Sequence, residues 1–251
     1  MTTTVERTIT VRVARYSPER HEDGQTFATY EVPMRPKWMV LDALNHIRWE
    51  IDPTLTYRHS CRMAVCGSCG MILNGEPKLA CNTFLDDYPD GLTIEPLSNF
   101  PVLRDLVIDM EDFMGKLSAI RPWIVRDDAD DPSGGEYRQT PEELELYAHF
   151  SHCINCMICY AACPVYGLEP SFIGPAAVAL GHRYQLDGRD QGNADREVVL
   201  ASEDGVWNCS FVGECSKACP KHVDPAAAIQ RTKLNFVMAR LLKFVLPWRR
   251  S

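Results

Sequence analysis

The sequence predicts an α+β protein in which a small mixed sheet with one helix is followed by an all-α domain. Three observations predict this fold class: apolar and polar residues alternate near the N-terminus, helix-capping signals recur in the second half, and a charged, turn-rich stretch lies between them. With 251 residues and 45% hydrophobic content, the chain is long enough to bury two such cores.

The N-terminal elements follow from hydrophobic periodicity. Alternation over Thr8 to Tyr16, and again over Ala28 to Val32, predicts two strands. Apolar residues at helical spacing from Val40 to Ile47 predict a helix, which an Asp-Pro pair closes. After a cysteine-rich loop, further strands are expected at Gly70 to Leu73 and around Leu92 to Ile94. An Asn-Gly pair directly after the first of them predicts a hairpin turn. These elements fit a mixed sheet that clasps one helix.

The second half of the chain is predicted to be helical. A helix over Leu106 to Leu117 leads away from the sheet, and Arg126 to Gln139, rich in Asp, Pro and Gly, indicates a connecting segment. The capping box Thr140-Pro141-Glu142-Glu143 predicts a helix that runs toward Cys153. Later helices are expected over Pro175 to Tyr184, over Asp195 to Ala201, and from Asp224-Pro225 onward with Asp224 as N-cap. The predicted boundaries are 1–115 for the sheet domain, 116–139 for the connecting segment and 140–251 for the helical domain.

Composition limits the class of protein and its compartment. The net charge of −8 argues against binding to nucleic acid, whose phosphates need a surplus of Lys and Arg. The sequence contains no run of about 18 apolar residues, and its N-terminus lacks the apolar core of a secretion signal. The chain is therefore expected in a reducing cytoplasm, where metal binding explains 11 cysteines better than disulfides do.

The basic residues are concentrated near the C-terminus. Residues 226–251 contain no acidic residue and six basic ones, Arg231, Lys233, Arg240, Lys243, Arg249 and Arg250. A basic, apolar tail suits contact with a membrane surface or with membrane subunits. A solvated helix face explains the same charges equally well.

The first cysteine group predicts a 2Fe-2S cluster, because it has the C-x4-C-x2-C spacing of plant-type sites followed by a fourth cysteine. Its candidate ligands are Cys61, Cys66, Cys69 and Cys81. Gly67 and Gly70 are expected to let backbone N–H groups approach the sulfurs. A zinc site with four cysteines is the alternative, although zinc prefers two C-x2-C knuckles and this group has one.

Two further cysteine runs predict a pair of clusters. Residues 153–164 follow C-x2-C-x2-C-x3-C-P, in which the fourth cysteine serves the other cluster of a pair. Residues 209–220 repeat this spacing with Val212 at the second cysteine position. Exchanging the fourth cysteines gives a 4Fe-4S cluster the ligands Cys153, Cys156, Cys159 and Cys219, and leaves Cys163, Cys209 and Cys215 for the other cluster.

The set with three thiolates and a valine predicts a 3Fe-4S cluster. Together the three sets use all 11 cysteines. Replacing a thiolate with an apolar side chain removes a negative ligand and an iron, and both changes should raise the reduction potential and make this site the electron sink. The expected electron path therefore runs from the 2Fe-2S cluster through the 4Fe-4S cluster to the 3Fe-4S cluster.

Nearly the whole chain resembles the iron-sulfur subunit of succinate dehydrogenases and fumarate reductases, most clearly in SCRMAVCGSCGMILNG, CINCMICYAACP and CSFVGECSKACPKHVDPAAAI. The resemblance implies an N-terminal β-grasp ferredoxin domain with the 2Fe-2S cluster and an α-helical ferredoxin domain with the other two. It also implies a flavoprotein subunit that carries FAD and interconverts succinate and fumarate, and membrane anchor subunits that bind quinone. This subunit would join them at the cytoplasmic face of a bacterial cell membrane.

The same resemblance locates the chemistry of the complex. No G-x-G-x-x-G follows a strand and no acid-base constellation is evident, so the dicarboxylate active site is expected on another subunit. A quinone pocket is expected near the 3Fe-4S cluster, with Pro164, Ser210 and Lys233 close to it. Lys233 could donate a hydrogen bond to a quinone oxygen, or it could be a solvated or lipid-facing lysine. Arg58 and Arg62 either balance the cluster charge or pair with the flavoprotein.

Two departures from the succinate dehydrogenase pattern bear on the direction of turnover. Val165-Tyr166-Gly167-Leu168 stands where many of those enzymes have tryptophans, and Ser210 where they often have histidine. These departures favour menaquinone-linked relatives, so succinate:quinone oxidoreduction, the main prediction, has fumarate reduction with menaquinol as its alternative. Other functions left open are a soluble two-domain ferredoxin-type carrier, a zinc-stapled interaction protein and the iron-sulfur subunit of another flavoprotein oxidoreductase.

Overall fold

The computed structural model of the chain describes residues 7–19, 24–127 and 132–245. The chain divides into two compact units, residues 1–110 with 154–162, and residues 111–153 with 163–251. The segment 154–162, which contains Cys156 and Cys159, therefore belongs to the same unit as the N-terminal residues. The domain boundaries given above stay predictions of the sequence.

A five-stranded mixed sheet forms the centre of the first unit. Its strands are β1 (Thr8–Arg15), β2 (Thr26–Pro33), β3 (Gly70–Leu73), β4 (Glu76–Leu79) and β5 (Leu92–Glu95). Their order is β2-β1-β5-β3-β4, with β1 and β5 parallel and the other neighbours antiparallel. The alternation that predicts β1 is confirmed, because Ile9, Val11 and Val13 are buried while Thr10 and Arg12 between them are exposed.

One α-helix of the first unit, α1 (Val40–His46), contacts β2. Its apolar positions face the core: Val40, Ala43 and Leu44 are fully buried. A π-helical turn, Ile47–Ile51, continues the helix and ends where Asp52 precedes proline. The helix predicted from apolar spacing is therefore confirmed.

The helix predicted over Leu106 to Leu117 is wrong in its first half. The elements present are β6 (Val102–Arg104), β7 (Val107–Ile108) and α2 (Glu111–Ala119). Asp105 turns the β6–β7 hairpin with a φ of 46°, and its carboxylate accepts hydrogen bonds from Arg15 Nε at 3.0 Å and from the Thr56 N–H at 2.9 Å. These long-range hydrogen bonds override the helical spacing around Leu106.

The remaining helices are α3 (Pro141–Glu145), α4 (Ile158–Ala161), α5 (Pro164–Leu168), α6 (Pro175–Gln185), α7 (Asn193–Leu200), α8 (Glu214–Lys217) and α9 (Pro225–Val245). All of these except α4 belong to the second unit. The helices predicted at α6, α7 and α9 are confirmed. The Asp224 carboxylate accepts a hydrogen bond from the Ala227 N–H at 3.0 Å, so its predicted capping role is confirmed as well.

The capping box at α3 is present, but the helix stops early. Thr140 Oγ1 accepts from the Glu143 N–H at 3.2 Å, and a Glu143 carboxylate oxygen accepts from the Thr140 N–H at 2.8 Å. At Tyr147 the backbone leaves the α region, with φ −129° and ψ −5°, and the tyrosine side chain is buried. A 3₁₀ segment, Ala148–His152, then leads to Cys153 in place of the predicted continuous helix.

The core of the second unit lies where α6 contacts α9. Four buried residues form its central cluster: Phe150, Ala179, Val223 and Ala228. Cys153 and Cys219 pack against this cluster. No helix in the described part of the chain is both long and apolar enough to cross a bilayer. Two parts of the sequence predictions lie outside the described ranges: residues 128–131 of the connecting segment, and Arg249 and Arg250 of the basic C-terminal stretch.

Candidate metal centres

All four candidate ligands of the 2Fe-2S cluster belong to the first unit: Cys61, Cys66, Cys69 and Cys81. The β3–β4 hairpin returns the chain so that the Cys81 N–H donates to Cys69 Sγ at 3.4 Å. The hairpin turn uses Asn74 and Gly75 at φ 46° and 85°, as the Asn-Gly pair predicts. The hairpin therefore brings Cys69 and Cys81, which are 12 residues apart in the sequence, close together.

Backbone amides of the cysteine loop point at its sulfurs. The N–H groups of Met63 and Val65 donate to Cys61 Sγ at 3.4 and 3.3 Å, and the Ala64 N–H donates to Cys81 Sγ at 3.3 Å. Left-handed backbone at Arg62 (φ 58°) and Ala64 (φ 57°) turns these amides inward. Such N–H···S bonds stabilise thiolates and tune the potentials of iron-sulfur clusters, so the loop fits the 2Fe-2S group.

The glycines of this loop are required by close approach. A Cβ on Gly67, which has φ 75°, would lie 2.5 Å from the Ile154 carbonyl oxygen. A Cβ on Gly70 would lie 3.0 Å from the Cys156 carbonyl oxygen. A positive φ is present at Gly67 only, and at both positions the structure gives close packing against residues 154 and 156 as the reason for the missing side chain. The role expected of these two glycines in bringing N–H groups to the sulfurs stays a prediction.

The local environment separates the acidities of these thiols. A hydrogen bond from the Ser68 side chain lowers the pKa of Cys66 to about 6, whereas burial raises the pKa of Cys69 to about 12. A buried thiol of this kind must release its proton when it binds iron, so cluster binding and proton release are coupled.

The three candidate ligands of the 3Fe-4S cluster line one cavity in the second unit, together with Val212: Cys163, Cys209 and Cys215. The Tyr166 N–H donates to Cys163 Sγ at 3.4 Å, and the Phe211 N–H donates to Cys209 Sγ at 3.4 Å. Burial raises the pKa of Cys163, and that of Cys215 to about 12. The residues present therefore fit a cluster that takes three thiolates and has an apolar side chain at its fourth corner.

The two proline-terminated runs share one backbone path. Left-handed backbone occurs two and four residues after the first cysteine of each run, at Asn155 and Met157 (φ 53° and 63°) and at Phe211 and Gly213 (φ 61° and 86°). A short helix, α4 or α8, follows each pair. Positive φ is rare for a bulky residue such as Phe211, so the repeat reflects a required loop shape. Val212 therefore has the loop position that Cys156 has in the other run.

The ligands predicted for the 4Fe-4S cluster are divided between the units. Cys156 and Cys159 are buried in the first unit, and Cys153 and Cys219 pack on the core cluster of the second. Their joint role stays a prediction from spacing. None of the 11 cysteines forms a disulfide. Among the described residues, no three His, Cys, Asp or Glu side chains are arranged so that they could hold a single metal ion.

Of the three residues predicted near a quinone, two line the three-cysteine cavity and the third bonds the backbone carbonyl of one of its cysteines. Pro164 and Ser210 line the cavity. Lys233, partly buried on α9, donates from Nζ to the Cys209 carbonyl oxygen at 2.7 Å. An ammonium has three donors, so this bond leaves others for a ligand.

Sequence reasoning missed Tyr166 as part of this site. Its ring is buried, and its hydroxyl donates to an Asp112 carboxylate oxygen at 2.7 Å while Lys116 Nζ lies 4.5 Å from the ring centroid. These contacts fix the position of Tyr166, whose backbone N–H donates a hydrogen bond to Cys163 Sγ. Its position three residues after a cysteine that caps a helix was the available signal.

Comparison with known proteins gives consistent matches. Residues 10–115 match the family "2Fe-2S iron-sulfur cluster binding domain", and residues 149–223 match "4Fe-4S dicluster domain". The chain is 58% identical to the fumarate reductase iron-sulfur subunit of Mycobacterium tuberculosis, covering 96% of this chain and 97% of that one. It is 48% identical to the corresponding subunit of Haemophilus influenzae, covering 94% and 96%. A solved structure titled "Mycobacterium smegmatis Sdh1 complex in the apo form" matches with a TM-score of 0.82 at 26% identity, covering 92% and 95%.

Proposed function

The chain belongs to the family of iron-sulfur subunits of fumarate reductases and succinate dehydrogenases, and we propose that it relays electrons through three clusters between FAD on a flavoprotein subunit and quinone at membrane anchor subunits. In this proposal the 2Fe-2S cluster faces the flavin side and the 3Fe-4S cluster faces quinone. The chain itself holds no dicarboxylate, and its own residues position the clusters. The clusters, when bound, supply the one-electron chemistry.

The observation that carries the proposal is the cavity shared by three thiol side chains and Val212. The potential of a cluster depends on its type and on the hydrogen bonds to its sulfurs; the proposed cluster has one anionic ligand fewer, and N–H groups donate to the sulfurs of Cys163 and Cys209. Both effects raise the reduction potential. This supports a terminal position for the 3Fe-4S cluster in the electron path.

Contact with membrane subunits is supported by the outer face of α9. Five apolar residues spaced three or four apart are 43–62% exposed: Leu234, Val237, Met238, Leu241 and Leu242. Arg231 and Arg240 on the same helix are also exposed. An apolar stripe flanked by arginines suits a surface that an anchor subunit covers close to lipid headgroups. Peripheral attachment of this kind would hold the chain at the cytoplasmic face of the membrane.

Quinone binding near the 3Fe-4S cluster is supported by the rim of its cavity. Phe211 and Val212 line the cavity and are 59% and 56% exposed, so apolar surface is available beside the cysteines. Lys233 already bonds the carbonyl of a cysteine ligand and has donors left for a quinone oxygen. Pro164 and Ser210 complete the proposed quinone-proximal set.

The direction of turnover has two candidates. Succinate oxidation is the main proposal, and a solved structure named for an Sdh1 complex matches the fold. Fumarate reduction with menaquinol is favoured by the 58% identity to a subunit named for fumarate reductase. Isolating the complex from membranes and measuring succinate:quinone and menaquinol:fumarate turnover separates the two. Recovery of the chain as a free, stable, soluble carrier would contradict both.

The quinone role of Lys233 is tested by Lys233→Leu in the isolated complex. We expect slower quinone reduction with unchanged succinate oxidation by an artificial dye, because the dye accepts electrons without the quinone pocket. Lys217→Leu, at an exposed lysine of α8 outside the proposed membrane-facing and quinone-proximal residues, is the control and should leave both rates unchanged. Equal loss of both activities in Lys233→Leu would reject the local role.

A further inference from the structure

A cavity in the first unit adjoins the loop of the 2Fe-2S site. Arg58 lines it, and so does the candidate cluster ligand Cys66. Much of the remaining lining is apolar: Met71, Leu97, Ile108, Met110 and Met157. A charge beside such walls is screened less than a charge in bulk water, so it acts more strongly on its neighbours.

The Arg58 guanidinium is a partly buried cation in this cavity. Its Nη1 donates to the Met110 sulfur at 2.6 Å. A thioether is a weak acceptor without charge, so this bond leaves the positive charge uncompensated. Within the described ranges of the chain, no carboxylate forms an ion pair with Arg58.

The neighbouring arginines differ from Arg58 in their surroundings. Arg62 follows Cys61 directly but is exposed, so water and salt screen its charge. The Arg48 guanidinium lies over the Tyr57 ring, 5.7 Å from its centroid. Arg58 is thus the arginine of this group that shares a cavity with a cluster ligand.

We propose that the uncompensated charge of Arg58 raises the reduction potential of the 2Fe-2S cluster, an inference that rests on the cysteine ligand set proposed above. Reduction adds one electron and one negative charge to the cluster. No proton moves to Arg58, because a guanidinium stays protonated in both states. The cation attracts the reduced cluster more strongly than the oxidised one, since the attraction grows with the charge of the cluster. Arg58 thereby eases electron entry at the flavin end of the path.

The test is a redox titration of the intact complex, in which the EPR signal of the reduced 2Fe-2S cluster is followed. Arg58→Met removes the charge and keeps a long, flexible side chain. At fixed potential we expect the reduced-to-oxidised ratio to fall about tenfold, equal to a midpoint decrease of about 59 mV for a one-electron couple. Arg58→Lys keeps the charge and should stay close to the wild-type midpoint, as should Arg62→Met.

Three results would overturn the role of Arg58. They are an unchanged midpoint in Arg58→Met, an equal decrease in Arg58→Lys, or an equal decrease in Arg62→Met. Should Arg58→Met not hold the cluster, Arg58→Gln is titrated with the same criterion. Absence of a 2Fe-2S signal from the reduced wild-type complex would instead reject the proposed ligand set, so the two failures are distinguishable.

Discussion

At the scale of single residues, Val212 distinguishes the third cysteine set from the second. It occupies the loop position of Cys156, between left-handed Phe211 and Gly213, and lines the cavity of Cys163, Cys209 and Cys215. A thiol at this position would give the proposed three-iron cluster a fourth ligand. The loop shape needed to present it already exists.

Val212→Cys should therefore convert a 3Fe-4S site to a 4Fe-4S site. We expect the EPR signal of the oxidised three-iron cluster to disappear and the iron content to rise by about one atom per chain. Val212→Ala is the matched control and should keep the signal, because it adds no ligand. A three-iron signal that persists in Val212→Cys, or is missing from the wild type, would contradict the assignment.

Gly67 tests the close approach in the 2Fe-2S loop. Gly67→Ala places a Cβ 2.5 Å from the Ile154 carbonyl oxygen, so the loop must move and we expect most of the 2Fe-2S cluster to be lost. Gly75→Ala is the control, because Gly75 has a similar positive φ but nothing within 4 Å of its Cβ position. That control should cost about 1 kcal/mol and retain the cluster. Visible absorption and EPR measure how much 2Fe-2S cluster each variant retains. An equal loss of cluster in both variants would show that the positive φ, and not the close contact with Ile154, makes glycine necessary at position 67.

At the scale of secondary-structure elements, a buried ion pair holds the segment that follows α2. Arg196 and Asp190 are paired with fully buried side chains. The Arg196 guanidinium also donates to the carbonyl oxygens of Ile120, Arg121 and Trp123, at 2.8 to 3.3 Å. One side chain on α7 thus satisfies three carbonyls of an irregular segment, which no regular element could do.

Arg196→Met should strongly destabilise the chain. It leaves Asp190 buried without its partner, and losing one member of a buried pair costs about 3–5 kcal/mol. The matched control is Arg121→Met, which breaks the exposed pair with Asp195 and should cost about 1 kcal/mol or less. Urea unfolding of the full cluster-loaded chain under anaerobic conditions measures both changes. Similar costs for the two variants would show that burial does not decide the strength of the pair.

The predictability of each element depended on where its stabilising contacts lie. The capping box of Thr140 and the N-cap of Asp224 involve neighbours in sequence, so the sequence predicted both helix starts. The β6–β7 hairpin depends on Arg15 and Thr56, which are far from Asp105 in the chain, so helical spacing gave the wrong answer there. Local signals predict local structure only when no distant partner competes.

At the scale of the whole molecule, the proposal requires that the chain binds three separate iron-sulfur clusters. A full complement of the predicted clusters gives about nine iron atoms per chain. Removing the iron with a chelator should unfold much of the chain, because the buried thiol side chains lose the metal whose binding contributes to folding. Iron and sulfide analysis with circular dichroism before and after chelation measures both effects. Purified protein that contains zinc in place of iron and sulfide would contradict the proposal.

The sequence by itself determined the number and spacing of the cysteines, the valine at the second cysteine position of the last run, the strands and helices with strong periodicity, and the family. These features follow from short-range order along the chain, which sequence carries directly. Only the tertiary structure decided that Arg58 and not Arg62 shares a cavity with Cys66, that Lys233 bonds the Cys209 carbonyl, and that residues 154–162 join the first unit. The direction and burial of a side chain depend on residues distant in sequence, and no local pattern encodes them.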